Sequence, residues 1–80
     1  MQLSDDAGYI QEKLEWVKYR LAMLDIIEGK LKQMRDLAEY ARDNLLSELE
    51  KAAMNTRLSM LGKDVAELDN QSRKFWQENQ

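Results

Sequence analysis

Asp5, Asp6, Glu12, Glu15, Glu28, Asp36, Glu39 and Asp43 crowd the first half of the chain with carboxylates. Held in pairs at the right separation, such groups do acid–base chemistry or bind a hard cation. Their usual helpers are missing. The sequence has no His and no Cys, so a Glu-x-x-His di-metal site and a thiolate site are both excluded. No D-x-[DN]-x-[DN]-G loop occurs. Gly62-Lys63 lacks the earlier glycine and the leading strand of a phosphate loop. The carboxylates therefore read as a solvated helix surface, with Glu28–Lys32 and Arg35–Glu39 at the spacing of helical ion pairs. No catalytic, cofactor-binding or metal-ligating residue is assigned, and no cofactor is expected.

Two polar residues stand apart. Arg20 sits among Tyr19, Met23, Leu24 and Ile27, where it can stack on a ring, pair with a carboxylate across a dimer, or snorkel to water. Ser72 interrupts an apolar series, where it sets register or bonds back to its own helix.

The elements that carry these residues are helices. Leu, Ala, Glu, Lys, Arg, Met and Gln dominate, there is no Pro, and Gly occurs three times; these are good helix formers with few breakers. Ser4-Asp5-Asp6 suits a helix start. The apolar series Ile10, Leu14, Val17, Leu21, Leu24, Ile27, Leu31, Met34, Ala38, Ala41, Leu45 then steps by 3 or 4, as a coiled-coil seam does. Two successive steps of 3 at Leu24–Ile27 make a stammer, and Gly29 just beyond it allows a slight bend. Asn44 suits a left-handed helix terminus. Ser47 with Glu50 three residues on forms a capping box that opens a second helix. The expected domain is residues 1–80 as one unit: helix about 5–43, turn 44–47, helix about 48–76.

Folding the second helix back on the first gives an all-α, antiparallel, coiled-coil-like two-helix hairpin. Its expected intrachain seam is Val17, Leu21, Leu24, Ile27, Leu31, Met34 and Ala38 against Met54, Leu58, Leu61, Val65, Leu68 and Phe75. Facing residues should have numbers adding to about 92, with Trp16 and Trp76 at one end.

That arrangement leaves residues unaccounted for. WVKYRLAMLDII, residues 16–27, is apolar around far more of the helix than one seam needs. Trp16, Tyr19, Met23, Ile26, Leu37 and Tyr40 form a second series roughly opposite the first. Tyr9, Ile10 and Leu14 reach past the end of the shorter second helix. These nine residues are the expected interface. A chain of 80 residues without disulfides or metal leans on oligomerisation for support, so the expected partner is a second copy, the two hairpins dimerising into a four-helix bundle. Another protein gripped by the aromatic face, as by a small regulator, is the alternative.

Other classes are disfavoured. The net charge is −3, with the basic residues scattered among acids, which does not suit nucleic acid. No apolar run approaches a membrane span, and an interfacial helix would carry more Lys and Arg on its polar face. The acidic N-terminus lacks the pattern of a signal peptide. The expectation is a non-enzymatic, cytoplasmic, bacterial protein that self-associates as a scaffold or protein–protein interaction module.

Residues 34–69, MRDLAEYARDNLLSELEKAAMNTRLSMLGKDVAELD, resemble the N-terminal helical hairpin of bacterial flagellins. Met34, Arg35, Asp36, Leu37, Ala38 and Ala41 fit the first helix of that pattern. Leu46, Ser47 and Glu48 fit the turn and cap, and Lys51, Met54, Leu58, Leu61, Val65 and Leu68 fit the second helix. Leu24, Ile27 and Leu31 extend the likeness upstream without a gap. Arg57 departs from it, standing where flagellins carry an acid, and 80 residues leave no room for the terminal segments that polymerise. The resemblance implies a flagellum-associated structural or export-related helical subunit rather than a filament former, with Arg35 on an exposed helix face.

Overall fold

The computed structural model describes the backbone of residues 3–78 and the side chains of residues 7–75. Two helices account for nearly all of it: α1, Leu3–Asp43, and α2, Glu48–Glu78. They pack side by side and antiparallel. The start of α1 lies one residue before Ser4, whose side chain, like those of Asp5, Asp6 and Trp76, is outside the described ones.

The turn follows from local chemistry. Ser47 Oγ accepts from the Glu50 N–H at 3.1 Å, and the Glu50 carboxylate accepts from the Ser47 N–H at 3.3 Å. Two donors that would otherwise go unmet at the start of α2 are thus satisfied. At the end of α1, Asn44 does not adopt the expected left-handed backbone, since no residue other than glycine has positive φ among those described. Its side-chain amide instead donates to the Tyr40 carbonyl at 2.8 Å, closing the helix end by another route.

Contacts between the helices join residues whose numbers add to between 88 and 94, from Trp16–Ser72 through Arg20–Asp69 to Lys30–Asp64. This brackets the expected register. It also leaves the first three turns of α1 beyond the end of α2, about 16 Å of helix.

The face that α1 turns to α2 is rotated by one residue from expectation. Trp16, Arg20, Met23, Ile27, Lys30, Met34 and Leu37 are buried or half-buried, whereas Val17, Leu21, Leu24, Leu31 and Ala38 are exposed. The expected seam holds only at Ile27 and Met34 on α1. On α2 it holds through Met54, Leu58, Leu61, Val65 and Leu68, with Phe75 at its rim. The observed α1 series steps 4-3-4-3-4-3 without interruption, so no stammer is needed, and α1 runs continuously through Gly29. The physical reason lies in the partners. Rotated this way, α1 sets Arg20 against Asp69 and Lys30 against Asp64, and stacks Tyr19 on Phe75 with ring centroids 4.8 Å apart. A purely aliphatic seam would give those groups no partner.

The result is long and thin. The molecule extends 68 × 18 × 10 Å with a radius of gyration of 19.0 Å, against about 12 Å for a compact chain of this length. Among the described residues, only Ile27, Leu61 and Ser72 are buried.

Candidate functional site

Two features organise the surface: a polar knot at the open end of the hairpin and an uncovered aliphatic stripe along α1.

The knot ties Trp16 and Arg20 of α1 to Asp69 and Ser72 of α2. Arg20 Nη2 donates to Asp69 Oδ1 at 2.7 Å, and its Nη1 donates to the Asp69 carbonyl at 3.4 Å and to Ser72 Oγ. Ser72 Oγ in turn donates to the Asp69 carbonyl at 3.1 Å, and Trp16 Nε1 donates to the Ser72 carbonyl at 3.0 Å. Arg73 adds a second cation 3.3 Å from Asp69. Arg20, through its hydrogen bond, is the main cause holding the Asp69 carboxyl below the usual carboxylate range; partial burial opposes it and Arg73 assists. Arg20 thus finds its carboxylate within the chain rather than across a dimer. Ser72 does both things open to it: it bonds back to its own helix and locks the register to α1. Among the described residues no buried side-chain nitrogen or oxygen lacks a hydrogen-bond partner, and the bonds of the knot tie α1 to α2.

The expected interface divides in two. Trp16, Tyr19, Met23 and Leu37 turn into the hairpin and are half-buried. The aromatic face is therefore not free as a unit, because Trp16 and Tyr19 are engaged with Ser72 and Phe75. Tyr9, Ile10, Leu14, Ile26 and Tyr40 are exposed, with Lys13 over the Tyr9 ring at 5.3 Å.

The stripe that remains joins Ile10 and Leu14, expected in the interface, to four residues expected inside. Ile10, Leu14, Val17, Leu21, Leu24 and Leu31 are 40–65% exposed. They follow one another at steps of 4, 3, 4, 3 and 7 along one side of α1. Position 28, in the last gap, holds Glu28, paired with Lys32 at 3.4 Å. Together the six side chains present on the order of 500 Å² of aliphatic surface, toward the upper end of the ~300–600 Å² of a typical monomer's largest patch, a size that is often functional. Sequence reasoning placed Ile10 and Leu14 on the open side, where they are, but assigned Val17, Leu21, Leu24 and Leu31 to the intrachain seam. The signal that would have corrected it was the stammer, which the one-residue rotation removes.

Other surface concavities are open. One, about 490 Å³, lies between the helices at Gln33, Asp36, Leu37, Tyr40, Met54 and Arg57. Among the described residues, no cluster of three or more acidic side chains is placed to hold a metal, and no helix is long and apolar enough to cross a membrane.

These features define a class, the elongated antiparallel helical hairpin with one apolar flank. Comparison with protein-family models, with curated proteins and with solved structures finds no match for the chain.

Proposed function

We propose that the chain is a non-enzymatic, cytoplasmic scaffold or protein–protein interaction module that works by self-association. The observation that carries this reading is the stripe from Ile10 to Leu31: six large aliphatic side chains at helical spacing, each 40–65% exposed. Each is worth about 1.5–3 kcal/mol if removed from water. A helix that repeats such residues at 3 and 4 along one side is built to lie against another helix. The test is absolute mass by light scattering across a range of protein concentrations. A mass of two chains that falls to one on dilution supports the reading; a single-chain mass throughout overturns it.

The resemblance over residues 24–69 favours a second reading, a flagellum-associated packing subunit. Arg35, which that likeness places on an open helix face, is 63% exposed. This reading predicts growth beyond a closed dimer as concentration rises.

A further inference from the structure

We propose that the occupant of the α1 stripe is a second copy of this chain, docked antiparallel across a two-fold axis between Leu21 and Leu24, with Lys18 of each copy facing Asp25 of the other. The inference deepens the self-association reading and rests on it.

The area calls for a partner of this size. A compact 9.4 kDa monomer exposes about 5,000 Å²; this chain exposes 6362 Å². The difference, roughly 1,300 Å², exceeds the ~800 Å² that each partner contributes to a standard interface.

The two edges of the stripe set the orientation. One edge, carrying Arg20, Ile27 and Met34, is already taken by α2. The other carries Lys18, Asp25 and Lys32, all exposed. Lys18 and Asp25 make no ion pair within the chain among the described residues. In a parallel coiled coil, opposite edges of the two helices meet; in an antiparallel one, like edges meet. Only the antiparallel arrangement lets the free edge of one copy face the free edge of the other. A parallel pairing in register would also set Glu28 directly on Glu28 of the second copy.

Charge then selects the register. With facing residues adding to 45, Leu21 meets Leu24, Leu14 meets Leu31, and Val17 lies against the stem of Glu28. On the rim, where facing numbers add to 43, Lys18 meets Asp25 twice by symmetry. A slip of one heptad in one direction sets Lys18 against Lys18, and in the other sets Asp25 against Asp25. Like charges face each other in both slips, and opposite charges only in the proposed register.

The test uses the full chain and reads the dimer dissociation constant by analytical ultracentrifugation. Lys18→Asp and Asp25→Lys should each weaken the dimer about tenfold, and the double exchange should return it to within about threefold of the parent. If the double variant stays as weak as the singles, or the singles change nothing while the parent remains a dimer, this docking is wrong and self-association stands. A parent that is monomeric at every concentration overturns both. A second readout does not depend on charge. The chain has no Cys, so Leu21→Cys mixed with Leu24→Cys should oxidise mainly to the mixed disulfide. Equal yields of the two like-with-like dimers would overturn the register.

Discussion

The two apolar sides of α1 differ in a way that runs against simple hydrophobic reasoning. The side that α2 covers contains Trp16, Arg20 and Lys30, with Asp69, Ser72 and Asp64 opposite. The side left open is aliphatic from Ile10 to Leu24. Transfer energy alone would bury the second and expose the first. Specific partners decide otherwise, because α2 offers carboxylates and a hydroxyl at the spacing of the cations on α1. A paired polar seam fixes one orientation and one register, whereas an aliphatic stripe accepts several. The molecule thus uses its selective side for the intrachain contact and holds its aliphatic side outward.

Substitutions two residues apart break the two sides separately, and this is the largest expected effect. Met23 is half-buried against α2, while Leu21 is exposed on the stripe. Met23→Asp places a charge with no cation partner in the seam and should lower stability by about 3 kcal/mol. The loss should show in thermal unfolding at every protein concentration. Leu21→Asp should leave the hairpin contacts in place but abolish the dependence of the unfolding midpoint on concentration, which is the signature of association. If both variants behave alike, the two sides are not separable.

The next effect concerns the seam alone. Asp69 has its carboxyl held below the ordinary value by Arg20 and Arg73. A carboxyl whose folded-state pKa is depressed contributes stability that is full above its unfolded value near 4 and is lost as pH falls through the folded value. Acid titration of the folded fraction should therefore show a loss beginning below about pH 4 that Asp69→Asn diminishes. Because Asp69 lies at the covered face, the effect should appear in Leu21→Asp as well. If Asp69→Asn titrates like the parent, the knot does not contribute to the seam's selectivity.

The sequence made some of this legible and hid the rest, for physical reasons. The hairpin could be read because its signals are local: helix-forming composition, no Pro, and a capping box where the first apolar series ends. Ser47→Ala should cost about 1 kcal/mol, since it removes the acceptor seen at 3.1 Å from the Glu50 N–H. The rotation of α1 could not be read from hydropathy, because Val17, Leu21, Leu24 and Leu31 are all aliphatic whereas the series that α2 covers includes the charged Arg20 and Lys30. What decides between the faces is a pair of long-range contacts, Arg20–Asp69 and Lys30–Asp64, between residues 49 and 34 positions apart. The pattern of α2 carried no such ambiguity, since its one apolar face met both expectation and structure at Met54, Leu58, Leu61, Val65 and Leu68.

Gly29 offers the smallest effect and a control on the comparison. It is helical, and a Cβ built there meets nothing within 4 Å. On the helix it falls between Ile26 and Lys32, away from the seam and beyond the free edge of the stripe. Ala at this position loses less backbone entropy on folding than Gly, so Gly29→Ala should raise stability by about 0.5–1 kcal/mol. The gain should appear equally in the parent and in Leu21→Asp, because it acts through the helix and not through either face. If Gly29→Ala instead weakened the dimer, the second copy would have to cover position 29, and the partner's position on α1 would need to rotate past Lys18 and Asp25.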